Sequence, residues 1–279
     1  TPSPTFAKGD TFNYASVPNP APMLQTQIEK LAYATYSGTK AIAVNAQGLG
    51  YVVRKDGATQ GEANKMALEG CFALGGGSPC ALLAAGDKFE VSSSELATAY
   101  TFTMTAPSAI NAATIPFVMP NIRASIGELY NRAASPKALV FSVDGAYVWV
   151  TGSDSTPVTS VNEARRVALE RCELTAAITP CTVFAENSTV VFNPAAINRT
   201  PVIDYSRTTL MTNVPGMKDA HFASIVQPYI DAVDGVLMRG SIYIAGDGAG
   251  GMAYNVNAAT AESNAKSLCE MNVASGYTC

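Results

Sequence analysis

The chain has six cysteines, and they fall into three local pairs. Cys71 and Cys80 are nine residues apart, as are Cys172 and Cys181, while Cys269 and Cys279 are ten apart. Each pair sits in a recurring phrase. Lys65-Met-Ala-Leu-Glu-Gly-Cys71 returns as Arg166-Val-Ala-Leu-Glu-Arg-Cys172, and a weaker copy runs from Asn264 to Cys269. The simplest pairing closes each unit on itself, because a short loop is readily bridged and the bridge restricts the unfolded chain. Zinc ligation does not suit this spacing: there is no Cys-x-x-Cys, and the chain has a single histidine. Three disulfides imply an oxidising compartment, hence a secreted, periplasmic or cell-surface protein. A first residue of Thr rather than Met fits a processed, mature form.

Aligning the three phrases exposes a longer repeat. Ala63, Ala67 and Cys71 are spaced by four, as are Ala164, Ala168 and Cys172, and Ala261, Ala265 and Cys269. That spacing places each trio on one helix face, a stripe of small side chains that lets the helix lie close on a sheet. Upstream of each helix are two β-rich runs around a turn: 41–44 with 50–53, 138–141 with 147–150, and 241–244 with 252–254. Asp144-Gly145 marks the second turn most plainly. A further helix is expected ahead of each hairpin, around Ile28, Ile126 and Phe222–Ile225, each behind a proline-marked loop. Ahead of these, Thr- and aromatic-rich runs at 11–14, 100–104 and 208–211 read as strands.

After the second cysteine of the first two copies comes one more expected strand, 81–89 and 182–190, with no counterpart after Cys279. The first residues do match it: Thr5, Phe6, Ala7, Lys8, Gly9, Asp10, Thr11 and Phe12 align with Leu82 to Phe89 without a gap, sharing Gly-Asp-x-Phe. A sheet without its closing strand presents unpaired backbone groups along an edge. Residues 5–12 are therefore expected to serve as an assembly strand, with Thr5, Phe6, Ala7, Gly9, Asp10 and Phe12 as its candidate site residues. It would close the third copy of its own chain or add to that of a neighbour. The latter contact is heterologous and propagates head to tail.

The expectation is an α+β chain of three tandem repeats, each a small antiparallel sheet packed with two helices and one local disulfide. Its segments are an N-terminal strand at 1–12, then repeats at 13–98, 99–206 and 207–279. The pattern Ala-Ile-Ala, a glycine turn, an aromatic strand, then Glu-Ala-x-x-x-Ala-Leu-x-x-Cys and a second cysteine, over 41–83 and 138–184, resembles a family of small secreted bacterial domains of unknown function. The resemblance implies secretion and fold, and no activity.

Composition narrows the function further. Charged residues are 14% of the chain, mean hydropathy is +0.13 and net charge is −4. Low charge lets surface pack on surface. The 18 basic residues do not cluster, so no nucleic-acid footprint exists, and no apolar run is long enough to span a membrane. No catalytic, cofactor or metal signature emerges. His221 has no triad context, and Asp231, Asp234 and Asp247 lack calcium-loop spacing. Gly246 to Gly251 reads as a hairpin turn rather than a phosphate loop, and Asn187-Ser-Thr and Asn198-Arg-Thr are glycosylation sequons. Tyr147, Trp149, Tyr243 and Tyr254 are candidates for a glycan-binding face, although strand aromatics more often pack under a helix. The leading expectation is a non-enzymatic extracellular structural protein that binds copies of itself. The alternative is a monomeric secreted module binding glycan or protein.

Overall fold

The computed structural model describes residues 5–17, 21–152, 157–176, 181–195, 197, 215–221, 223, 239–245, 247, 249–255, 257–275 and 278–279. It is a mixed α+β structure with antiparallel sheets and three disulfides, Cys71–Cys80, Cys172–Cys181 and Cys269–Cys279. The chain divides into two compact units. One comprises Thr1–Gly127, Val143–Gly145 and Asn193–Ile197; the other comprises Glu128–Ser142, Ala146–Phe192 and Asn198–Cys279. The division falls inside helix α3 (Pro120–Arg132), and the segment expected as the third repeat shares a unit with the second.

The first unit holds α1 (Pro22–Lys30), β1 (Thr39–Asn45), β2 (Gly50–Lys55), α2 (Gln60–Leu74), β3 (Cys80–Ala85) and β4 (Lys88–Phe89). Its sheet runs β2-β1-β3-β4. The second unit holds β5 (Lys137–Ser142), β6 (Tyr147–Thr151), α4 (Val161–Thr175), β7 (Cys181–Glu186) and β8 (Thr189–Val190) in the matching order β6-β5-β7-β8. The register slips at equivalent points, between Ile42 and Ala43 in one sheet and between Leu139 and Val140 in the other. The second unit also contains the hairpin β9 (Arg239–Ile244) and β10 (Gly250–Asn255), followed by α5 (Ala258–Asn272).

Each of the three 15-residue helices starts where a side chain takes an orphan amide. Thr59 accepts from the Glu62 N–H, Ser160 from the Glu163 N–H, and Asn257 from those of Ala259 and Thr260. The small stripes do what their spacing predicts. Ala63, Ala67, Ala164, Ala168, Ala261 and Ala265 are fully buried, and the cysteines that follow them are buried too. The approach is close enough that a methyl on Gly251 would sit 2.1 Å from the Ala265 carbonyl oxygen. Alternation along β1 and β5 sends residues to opposite faces. Ala138 and Val140 pack with Val167 and Ala168 of α4, while Ile42 and Val44 pack with Leu24 and Ile28 of α1. The opposite face of the second sheet is aromatic, with Phe184 meeting Phe141 at 5.4 Å and Phe192 at 5.7 Å.

A buried lysine joins helix to strand in both four-stranded sheets. Lys40 Nζ donates to the Tyr33 and Tyr36 carbonyls at 2.8 Å and lies over the Tyr33 ring. Lys137 Nζ donates to the carbonyls of Tyr130 (2.7 Å), Asn131 (3.2 Å) and Ala133 (2.8 Å), over the Tyr130 ring. A cation at carbonyls left over near a helix end is favourable there, and the arrangement satisfies its donors without water.

Two expectations are corrected. The runs 81–89 and 182–190 are not single strands: each folds into a short hairpin, β3–β4 and β7–β8. The break falls at Gly86 and Asn187, both with left-handed backbone (φ +56 and +51), which glycine and asparagine adopt most readily. The runs 11–14 and 100–104 hold single bridges, Thr11 to Lys88 and Phe102 to Cys80, rather than strands. Residues 208–211, Phe222, Ile225 and the Tyr254 side chain lie outside the described residues.

Removing one cross-link tests how much each small unit depends on it. The double variant C71A/C80A should lose about 2–4 kcal/mol of unfolding free energy in a urea titration, as expected for a loop of this length.

Candidate assembly site

The proposed assembly strand has a definite place. Phe6 is buried, stacked on Phe89 at 4.0 Å, and Phe12 meets Phe89 at 5.0 Å and Tyr33 at 5.4 Å. Gly9 N–H donates to the Phe89 carbonyl (2.9 Å), Phe12 N–H to Asp87 (2.7 Å), Phe89 N–H to Asp10 (2.9 Å) and Ser93 N–H to Phe6 (3.0 Å). The partners of residues 6–12 are thus beside β4 in the first unit, not on β9 or β10. Nor is the segment a continuous strand. Asp10 Oδ2 accepts from the Ala7 N–H (2.8 Å), Gly9 has φ +90, and the chain turns. The shared Gly-Asp explains both halves of this result, since Gly86-Asp87 makes the turn between β3 and β4. Thr5 and Ala7 are exposed at the start of the segment.

The edge the strand was expected to cover is also defined. β1 is paired on both sides, by β2 and β3, and β5 by β6 and β7. β9 occupies the corresponding place in its hairpin, with the same closing bond: Asn45 N–H to Leu49, Ser142 N–H to Ala146 and Ala245 N–H to Ala249. Among the described residues β9 has one ladder, with β10. Ile242 and Tyr243 are half-buried, whereas Ile42, Ala43, Leu139 and Val140 at the matching positions are fully buried. Asp247 ties the hairpin turn to the tail: its carboxylate accepts from Ala249 N–H (2.9 Å) and Ala274 N–H (2.7 Å). This is turn chemistry, with backbone amides where a cation's oxygen ligands would gather.

A third feature was not anticipated. Glu69, two residues before Cys71, is buried, and its Oε2 accepts from the Phe117 N–H at 2.9 Å. Glu170, two before Cys172, accepts from the Gly216 N–H at 2.7 Å. Phe117 and Gly216 each follow a proline and each has positive φ, +65 and +78. The same clasp is therefore built twice. Charged neighbours complete each copy. Arg123, itself buried, donates through Nε to the Val118 carbonyl (2.7 Å) and pairs with Glu62. Arg166 pairs with Asp219 (2.6 Å), and Glu163 Oε1 accepts from the Asp219 N–H (2.9 Å). A carboxylate aimed at a left-handed residue after proline carries no established sequence motif. The only available signals were the repeated Glu and the repeated Pro, which lie far apart in sequence.

His221 ends a one-turn helix, Asp219–His221, with its side chain outside the described residues, as are Asp231, Asp234 and Asn198. Asn187 caps its turn, accepting from the Lys137 N–H (3.2 Å). Tyr147 and Trp149 are half-buried and stack at 6.0 Å; the Tyr243 hydroxyl donates to Glu262 (3.0 Å). A groove of about 470 Å³ runs along Tyr36, Lys40, Asp56, Gln60 and Asp87. Its polar groups are engaged with one another: Tyr36 with Asp56, Lys40 with Asp87, and Gln60 with the Lys40 carbonyl. Among the described residues no helix is long and apolar enough to cross a membrane. Comparison with known domain families, curated proteins and solved structures finds no match to this chain.

Glu69 of the first clasp and Glu163 beside the second respond to pH in opposite senses. Burial raises the Glu69 pKa, and the Phe117 amide and the Lys65 and Arg123 charges only partly offset it. Its contribution is then fully present below the ordinary glutamate value and is lost as pH rises through the raised one. Burial also pushes Glu163 up, but hydrogen bonds from Thr159 and Asp219 and the Arg166 charge outweigh it, so its pKa is lowered. Its contribution is present above the ordinary value and is lost as pH falls through the lowered one. Glu69→Gln keeps the acceptor without the charge, so its stability relative to wild type should improve from acid to neutral pH. Glu69→Ala, which also removes this acceptor of the Phe117 N–H, should be about 1–3 kcal/mol less stable than Glu69→Gln throughout. Urea unfolding across that pH range checks both.

Proposed function

We propose that this chain is a non-enzymatic extracellular structural protein made of three tandem α+β repeats. It self-assembles head to tail, adding residues 5–12 of one copy to the β9 edge of the next. One observation carries the reading: among the described residues β9 pairs on one side, where β1 and β5 pair on both. An edge of unpaired amides and carbonyls is a template for another strand. The low charge and the three disulfides suit a durable assembly in an oxidising environment.

In a lone chain residues 6–12 cap their own first unit, so assembly is an exchange. Release breaks four backbone hydrogen bonds, at about 0.5–1.5 kcal/mol net each, and uncovers Phe6, at about 1.5–3 kcal/mol. Such a cost makes growth slow and dependent on concentration, in the manner of domain swapping. The turn at Gly9-Asp10 would have to open into an extended strand.

A second reading is a monomeric secreted module that binds glycan or protein. It is favoured by the docking of Phe6 and Phe12 within their own chain and by the half-exposed stacked pair Tyr147 and Trp149. Deleting residues 1–12 separates the two. Under the leading reading, light scattering shows intact protein forming oligomers that grow with concentration, while the truncated protein remains monomeric. A wild-type chain that stays monodisperse at every soluble concentration overturns that reading in favour of the second.

A further inference from the structure

The two Glu clasps define which helix faces are covered in this chain and leave one bare. On α2 the residues beyond the sheet-facing stripe, including Met66, Glu69, Gly70, Phe72 and Ala73, are buried. On α4 Val167 and Glu170 are buried, and the loop at Gly216 lies against Arg171 and Leu174. Arg171 Nε also donates to the Gly216 carbonyl (2.7 Å). Counting from the cysteine, the corresponding residues of α5 are Asn264, Ser267, Leu268, Glu270 and Met271, and every one is exposed. Leu268 and Met271, at the positions of Arg171 and Leu174, are 37% and 71% exposed. Two apolar side chains thus stand in water where the preceding helix touches its docked loop.

The segment that would dock there is present elsewhere in the sequence. The loop seated on α2 leads into α3 through Pro116 and Pro120, and the one on α4 is led by Pro215. Val17 to Gln25, leading into α1, has the same layout, with Pro18 and Pro22 at the positions of Pro116 and Pro120. Residues 18–20 lie outside the described residues. Of the rest, Met23 is 61% exposed, and Gln25, at the position of buried Arg123, is exposed. The chemistry matches on both sides. Where α2 carries Glu62, Lys65 and Glu69, and α4 carries Glu163, Arg166 and Glu170, α5 carries Thr260, Ser263 and Ser267. Residues 17–25 likewise hold no charge. A buried contact with one charged partner would leave that charge unpaired, so loss of these three charges from α5 and of any charge from residues 17–25 keeps the pair compatible; Glu270, which remains charged on this face, is paired with Lys266.

We infer that the exposed face of α5, centred on Ser267, Leu268 and Met271, receives residues 17–25 of a second copy of this chain. This repeats between molecules the loop-on-helix contact that each unit already contains. It rests on the head-to-tail reading but not on the β9 edge, and it joins the same two ends. Leu268 and Met271 form the apolar centre, and the Ser267 hydroxyl stands where Glu69 and Glu170 accept a loop amide. Met23 and Gln25 would form the far side of the contact.

The test uses the intact protein with a benzophenone amino acid in place of Met271, irradiated at concentrations where it self-associates. The expected product is a covalent dimer whose cross-linked peptide contains residues 17–25. In parallel, L268D/M271D, at exposed positions, should keep the wild-type circular dichroism and melting temperature. It should weaken association about tenfold or more, because charge is placed at the centre of an apolar contact. Association with cross-links mapping elsewhere, or undiminished in L268D/M271D, overturns the α5 assignment and leaves head-to-tail assembly standing. Association lost on deleting residues 1–12 but retained in L268D/M271D points to β9 alone. A wild-type chain that does not associate at any concentration overturns both.

Discussion

The close seating of a helix on a sheet, permitted by a stripe of alanine ending in a bridged cysteine, is the contact on which the rest of this structure depends. Side chains larger than a methyl along Ala63 and Ala67, or Ala164 and Ala168, would lift the helix away. The disulfide would then no longer reach the first residue of β3 or β7. With the helix seated, the strand after the second cysteine is delivered beside the hairpin's leading strand, and the sheet grows in the order observed. Gly251 beneath α5 shows the same constraint at its limit, with helix backbone where a side chain would go.

Once each sheet is built this way, its two faces separate by residue size. The helix that follows the hairpin takes the small side of β1 or β5. The larger residues, Ile42 and Val44 or Leu139 and Phe141, turn to the other side. The buried lysines then hold the chain leaving a helix to the start of the central strand, where carbonyls without helical partners need a donor. Each lysine is a fastening whose ammonium is held by carbonyls against an aromatic ring, with the Asp87 carboxylate completing the set at Lys40.

The N-terminal segment shows how one short motif can mean two things. Gly-Asp-x-Phe at residues 9–12 repeats residues 86–89, and both copies do the same local thing: glycine turns left-handed and the phenylalanine packs. Local similarity carried over because φ depends on the residue itself. The choice of docking surface did not, because it depends on which apolar site is within reach. Phe89, Phe12 and Phe6 form one cluster, and burying Phe6 there is worth about 1.5–3 kcal/mol. Under the head-to-tail reading, residues 5–12 are a cap that exchanges rather than a strand that waits.

What the amino-acid sequence determined by itself was local and periodic: the disulfide partners, the helix stripes and the hairpins. All of these depend on residues within a few turns of one another, where spacing alone decides which side chains share a face. The tertiary structure decided the rest. It placed residues 6–12 on β4, split the strands at Gly86 and Asn187, and brought Glu69 to Phe117 and Glu170 to Gly216 across more than forty residues. Such pairings follow from competition among surfaces for burial and for unsatisfied amides, and no single stretch of sequence contains both competitors.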